Sequence, residues 1–402
     1  MSNDASDISI PVIPSARKTA AGKGAQWIRS IGPGVITAAL VFGPSKITIT
    51  SVMGAHYGYS LLWLIVMTIF FMIIFTTMAA RVGIASQQSL LTTIGMKWGK
   101  PVKIAMGIGV FLVCASFQAG NSIGIGMAVA EGTKTAPAGW IILFNAIAIG
   151  LLFFRTFYKT LERVMIALIG LMLVAFLTTL VLAGPDVPSA IQGLRPTIPE
   201  GSLKLVIAFT ASCFSIVGAI YQTYLVQERR RWQPGIRQTG RESITGMIIL
   251  GILSAVVLIC SAAVLHTKGI TVTNATDMAR ALEPIFGNLA SSLFLAGLFG
   301  ASFSTLIGNA SLGGTLLGDA LGYGSGLNSG KVRAIIGIIM LIGATVAITF
   351  GKLPLELIIL AQTITIFIVP FIGIALFLVA NDKKIMGPLK NNAFANIAGG
   401  IG

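Results

Sequence analysis

Polar punctuation divides the chain into ten apolar stretches, at 35–53, 61–80, 104–130, 138–154, 164–183, 203–226, 244–265, 289–317, 334–350 and 355–380. Each approaches the roughly 20 apolar residues that a helix needs to cross hydrocarbon. The pattern predicts an all-α integral membrane protein with about ten transmembrane helices. Two of the stretches are broken from within. The first reads Gly43-Pro44-Ser45-Lys46 at mid-span, where proline removes a backbone donor and glycine tolerates unusual dihedrals. The sixth runs from Ser215 through Gly218 to Tyr221-Gln222-Thr223-Tyr224, a glycine followed by a polar cluster. Unwound backbone at membrane depth is tolerated only where protein or a water-filled cavity satisfies it.

Composition agrees with this pattern. The 402 residues are 55% hydrophobic and 10% charged, against about 25% charged in soluble domains, and the mean hydropathy is +0.89. No sizeable aqueous domain fits in what is left. The net charge of +15 would suggest nucleic acid in a soluble protein. In a membrane protein, lysine and arginine instead collect in cytoplasmic loops. With the amino terminus inside, 21 of the 28 Lys and Arg fall on the cytoplasmic side and six outside. The arginine run at Arg229 to Arg231 then reads as a headgroup anchor, and no nucleic-acid partner is expected. Residues 1–25 lack a continuous apolar core, so a cleaved signal peptide is not expected. The expected location is a bacterial inner (plasma) membrane, multi-pass, with both termini cytoplasmic.

One basic residue is left over, Lys46, in the middle of the first span. An ionisable group at membrane depth is a functional candidate by default. The three cysteines, Cys114, Cys213 and Cys260, lie inside apolar stretches without metal-ligand spacing and read as packing residues. No Asp or Glu lies near the centre of any span; Glu131, Glu228, Asp319 and Glu356 fall near ends. The two histidines, His56 and His266, sit in predicted outside loops, and no nucleophile, base and orienter assemble, so an enzyme is not expected.

The interruptions in spans one and six are five apart in a ten-span chain, so they open the two halves of a five-plus-five repeat. Broken segments at matching positions of two halves point to a transporter substrate site. The predicted divisions are a cytoplasmic tail at 1–30, a first five-helix repeat at 31–183, a second at 184–380, and a cytoplasmic segment at 381–402.

At these residues the sequence resembles the NRAMP family of divalent-metal transporters. The resemblance covers most of the chain. It rests on Gly32-Pro33-Gly34, on the run from Gly54-Ala55-His56-Tyr57-Gly58 to Trp63, on Gly218-Ala219 with Leu225-Val226-Gln227, and on Gln362 followed by Pro370. It implies a LeuT-like fold built as a 5+5 inverted repeat, proton-coupled movement of an ion such as Mn²⁺ or Fe²⁺ by alternating access, and no bound cofactor. In the family the break in helix one reads Asp-Pro-Gly-Asn, and its Asp and Asn bind the metal. Gly43-Pro44-Ser45-Lys46 stand there in this chain. The family's helix-six backbone carbonyl and methionine, followed by proline and histidine, correspond to Ala219, Gln222, Thr223 and Tyr224, and the helix-ten glutamine to Gln362. Where family members carry helix-three carboxylates, Phe117, Gln118, Gly120 and Asn121 stand here.

The metal site implied by the family therefore reads as lost, and no metal ligand is assigned. A divalent cation in low dielectric needs compensating charge, and Mn²⁺ or Mg²⁺ prefers carboxylate, carbonyl and water oxygens. At about 4 Å and an effective dielectric near 20, a protonated Lys46 would repel it by roughly 8 kcal/mol, about the whole of a micromolar binding energy. The expected function is movement of a small inorganic ion, with a proton or sodium as coupling ion. The substrate-binding candidates are Gly43, Ser45, Lys46, Ala219, Tyr221, Gln222, Thr223 and Gln362; the coupling candidates are Lys46, Gln118, Asn121 and Tyr224. Lys46 has three readings: a structural cation that holds the broken helices, an anion-binding group aided by a half-helix amino end, or a group that exchanges a proton. A transporter of bicarbonate or a carboxylate, and an ion channel, are the alternatives to a metal carrier.

Overall fold

The computed structural model describes residues 32–153, 157–213, 215–232, 241–272, 276–279, 283, 287–327, 329–350 and 355–402; side chains at 157–159, 161, 162, 232, 241, 242 and 355–364 lie outside the description. In chain order the helices are α1 (Gly32–Val41), α2 (Pro44–Tyr57), α3 (Leu62–Ala85), α4 (Leu90–Trp98), α5 (Lys100–Thr133), α6 (Pro137–Leu151), α7 (Phe157–Ala183) and α8 (Val187–Gln192). They continue as α9 (Leu203–Cys213), α10 (Ile216–Trp232), α11 (Arg241–Val264), α12 (Asn288–Ala320), α13 (Gly330–Phe350), α14 (Leu355–Ala380), α15 (Lys383–Met386) and α16 (Ala393–Ile401). Each of the ten predicted stretches coincides with a helix or with a helix pair. Among the described residues seven helices are long and apolar enough to cross a membrane, or up to nine if each bent pair is one span; α6 is apolar but shorter.

The first interruption lies where the sequence predicts it. Pro44 lacks an N–H and disfavours the helical conformation in the residue before it, so Gly43 is extended at φ −106°, ψ 179°. Proline then occupies the first helical position of α2, where its missing donor would have no partner anyway. The two halves meet at 62°.

The second interruption lies earlier than predicted. Helix α9 is described as far as Cys213, Ser215 is not helical and α10 begins at Ile216, so Gly218 through Tyr224 belong to a regular helix, α10. Ser215 accounts for the restart: its Oγ accepts from Gly218 N at 3.2 Å and its carbonyl from Ala219 N at 2.9 Å. A serine in this position satisfies helix-start donors that would otherwise be orphaned.

Packing follows from small residues at helix crossings, the means by which membrane helices approach when burial of apolar surface gives little advantage. A Cβ on Gly246 of α11 would run into the carbonyl of Gly34 in α1, and one on Gly83 of α3 would stand 2.7 Å from the carbonyl of Thr223 in α10. Helices α1, α2 and α12 are buried along most of their length and form the centre. Large apolar residues such as Val66, Phe70, Leu112, Ile142, Phe367 and Phe371 are exposed on the outer wall, the surface expected of a bundle that faces lipid.

The basic segments share one end of the bundle. Lys97 pairs with Asp382 at 2.6 Å, Arg81 donates to Asn391 at 2.8 Å, and Lys103 pairs with Asp319 at 3.4 Å. Helix α16 lies against the wall of the bundle rather than apart from it, with Gly399 against Met78 and Gly402 against Phe71 of α3.

Because the α1–α11 crossing has no room for a side chain, Gly246→Val should destabilise the protein by about 1–3 kcal/mol. The check is thermal unfolding followed by size-exclusion chromatography. Gly139→Val, where a Cβ would meet nothing within 4 Å, should leave the profile unchanged.

Candidate functional site

The two interruptions face each other across a central cavity of about 70 Å³. This is room for a few waters or one small ion. Its polar lining comes from the broken helices (Ser45, Lys46, Ser212, Ser215), from α5 (Asn121), from α12 (Thr305, Asn309) and from α14 (Thr365); Gly43 and apolar residues including Leu40, Val113 and Leu312 complete it. Gly43 is small for a reason of space, since a Cβ there would stand 2.8 Å from Thr305 Oγ1.

Lys46 is 1% exposed, and its Nζ makes no hydrogen bond. The Cys213 thiol is a neighbour without hydrogen-bond geometry to it. Among the described residues no group of three or more His, Cys, Asp and Glu comes together anywhere in the molecule. Lys46 is thus a lining residue whose Nζ is itself buried, with no carboxylate among the described lining residues, in a setting where an unpaired charge costs several kcal/mol.

Behind the cavity lies an amide cluster. Gln118 Oε1 accepts from Asn121 Nδ2 at 3.2 Å and from Asn309 Nδ2 at 3.0 Å; Asn309 Nδ2 also donates to the Cys114 carbonyl at 2.7 Å, and Gln118 Nε2 to the Leu306 carbonyl at 2.8 Å. With the amide hydrogens engaged on the protein side, the Oδ1 atoms of Asn121 and Asn309 have no donor among the described residues. The lining residues thus bring together a lysine, several hydroxyls and two amide oxygens.

Of the residues singled out from the sequence, Gly43, Ser45, Lys46 and Asn121 line this cavity, and Gln118 stands one layer behind. The helix-six candidates are not part of the lining, because the chain restarts its helix before them. Ala219 is buried in the apolar core. Gln222 accepts from Thr37 at 2.5 Å and donates to Ser243 at 2.9 Å, joining α10 to α1 and α11. Thr223 bonds its own helix at the Ile220 carbonyl, Tyr221 is buried with its hydroxyl unbonded, and Tyr224 donates to Asp319 at 2.7 Å. The Gln362 side chain lies outside the described residues. Sequence reasoning missed Ser212 and the restart role of Ser215; a serine three residues ahead of a glycine at a mid-span break was the available signal.

A buried bundle opened at two facing helix breaks, with a small polar cavity between them, is the architecture of a LeuT-like membrane transporter. The comparisons with solved structures agree. The chain superposes on a mutant of the Eremococcus coleocola manganese transporter with a TM-score of 0.72 at 18% identity, covering 97% of this chain and 86% of that one. It superposes on the transporter MhsT, in complex with L-phenylalanine, with a TM-score of 0.58 at 14% identity, covering 92% and 97%. The family model described as natural resistance-associated macrophage protein-like (Nramp) matches residues 34–402. This chain belongs to the Nramp family, and it is a membrane transporter, not an enzyme. Relatives named divalent metal cation transporter MntH include that of Deinococcus radiodurans, 27% identical over 96% of this chain and 89% of the relative. That of Bacillus subtilis is 27% identical over 90% and 86%.

Replacing a buried, unbonded amine by an isosteric apolar chain removes a desolvated group that no contact offsets. Lys46→Met should therefore raise the melting temperature of the purified protein by a few degrees, equivalent to about 1–4 kcal/mol, while transport falls to background. A lowered melting temperature would mean that Lys46 holds the broken helices together.

Proposed function

We propose that this chain is a secondary transporter that moves a small inorganic ion by alternating access, with the cavity between the broken helices as its central site. Lys46 carries this reading of the ion. Where the resemblance implies an aspartate and an asparagine for metal, a glycine and a lysine stand, and no carboxylate is found among the described residues that line the cavity. A divalent ion held next to a protonated Lys46 loses roughly 8 kcal/mol, so the usual metal site is absent.

Divalent-metal transport is what the relatives' names state, and common ancestry supports it. It would require neutral oxygens alone, from Ser45, Asn121, Asn309 and the open backbone, to hold the metal beside an uncharged amine. The donor set favours the second reading, a small oxyanion such as bicarbonate or a carboxylate. An amine, hydroxyls and the amino end of α2 offer donors to the negative oxygens. The free Oδ1 atoms of Asn121 and Asn309 suit an anion that also carries an O–H, as bicarbonate does.

Proteoliposomes test this directly. With an enclosed Mn²⁺-quenched dye and Deinococcus radiodurans MntH as positive control, this protein should give no Mn²⁺ entry above protein-free vesicles. Labelled bicarbonate should enter saturably, and Lys46→Ala should abolish that entry. Saturable Mn²⁺ flux dependent on this protein would refute the lost metal site. Running the same vesicles with an imposed proton or sodium gradient identifies the coupling ion.

A further inference from the structure

Two tightly joined helix pairs meet at a seam that runs from the central cavity to the basic end. On one side α10 is fixed to α3. Gly83 lies against the Thr223 backbone, Gln227 Nε2 donates to the Gln88 carbonyl at 2.9 Å, and Arg230 Nη1 donates to the Ile84 carbonyl at 2.8 Å. On the other side α12 is fixed to α5 through the Gln118–Asn309 amides and through Gly313, which has no room for a Cβ beside Cys114. Between the pairs, Tyr221 of α10 and Thr315 of α12 are buried neighbours close enough to interact, both 1% exposed, yet neither hydroxyl has a partner in hydrogen-bond geometry. Ser311, one turn nearer the cavity on the face of Thr315, is also buried with its hydroxyl unbonded. Helix–helix seams that stay dry do not ordinarily keep several hydroxyls without partners, since each costs free energy unless water or another group satisfies it.

The seam is closed at its basic end by one carboxylate. Asp319, 3% exposed, ends α12 and accepts from Tyr224 Oη at 2.7 Å, from Thr92 Oγ1 at 2.9 Å and from Lys103 Nζ at 3.4 Å. Of the bonds to Asp319, the Lys103 bond joins elements already packed together, and the Tyr224 bond crosses the seam. Tyr224 Oη also accepts from Leu91 N at 3.2 Å, which ties the short helix α4 into the closure. Just beyond lies a cavity of about 580 Å³ lined by Gln88, Thr92, Arg231 and Asp319 itself.

We propose that Asp319 is the latch of the basic-end half of the transport pathway, holding α10 to α12 through Tyr224, and that the seam lined by Tyr221, Ser311 and Thr315 is the route it closes. When the latch opens, the α3–α10 pair separates from the α5–α12 pair, water reaches the unbonded hydroxyls, and the central cavity joins the basic-end cavity. This rests on the alternating-access reading and is independent of which ion is carried.

The test is labelling of Thr315→Cys by a membrane-impermeant maleimide in oriented proteoliposomes, with the protein lacking that substitution as the blank for its three buried cysteines. Thr315→Cys should label slowly from the basic end, and adding Tyr224→Phe or Asp319→Asn should speed labelling about tenfold or more, the population shift expected from losing one charge-assisted bond. Labelling from the opposite end should not rise. Unchanged basic-end labelling in Tyr224→Phe, a variant that keeps the ring and the Lys103–Asp319 pair, would overturn the latch. Equal labelling from both ends at once would overturn both the latch and alternating access. Absent transport of every ion tested, together with the labelling increase, would keep the latch and remove only the proposed substrate.

Discussion

A lysine amine at the point where a membrane helix is broken, with no acceptor and no counter-charge among the described residues, is the constraint around which this molecule is arranged. Breaking α1 from α2 exposes backbone at membrane depth, which is tolerable only around a polar cavity. Lys46 stands at that break and is the basic residue among those described as lining the cavity. The amides of Asn121 and Asn309 donate to Gln118, and the thiol of Cys213 offers the amine no bond of normal geometry. The protein keeps a group that an apolar side chain of similar size is expected to exceed in stability. Such a group is retained where function needs it, a trade commonly met at functional sites.

The remainder of the bundle supports that cavity. Small residues let α11 cross α1 and let α3 lie along α10, so that the broken helices are gripped by unbroken ones. The grip is uneven. The α3–α10 and α5–α12 pairs are each joined by several side-chain contacts, and among the described residues Tyr224 and Asp319 bond across the seam between them at one end. Two firmly joined pairs meeting at a less bonded seam are the arrangement on which the proposed alternating access rests.

Much of this was legible in the sequence, for identifiable physical reasons. Ten apolar stretches appear as helices because bilayer thickness imposes a length that composition alone reveals. The first break was readable because Gly43-Pro44 acts locally, through a missing donor and a steric clash. The second was misplaced because Gly218 and the polar residues after it look like a break on their own, while the restart depends on the Ser215 hydroxyl reaching Gly218 N. Tyr221, Gln222 and Thr223 were grouped with the cavity as polar residues at mid-span. In the fold they are directed to seams between helices, which is the more common fate of polar side chains in membrane bundles. Asp319 was legible only as a residue near the end of a span. Its partners Thr92, Lys103 and Tyr224 are hundreds of residues away or on other helices, and no local pattern announces them.

The central claim is that the charge at the helix break decides which ion this site accepts. Calorimetric titration of Mn²⁺ into the purified protein and into the double variant Gly43→Asp with Lys46→Asn tests it most directly, with Thr305→Ala added in both to make room for the new side chain. The account predicts no micromolar Mn²⁺ binding by the chain that keeps Gly43 and Lys46, and measurable saturable binding once the carboxylate and amide are in place. Micromolar Mn²⁺ binding by the chain with Lys46 intact would contradict it.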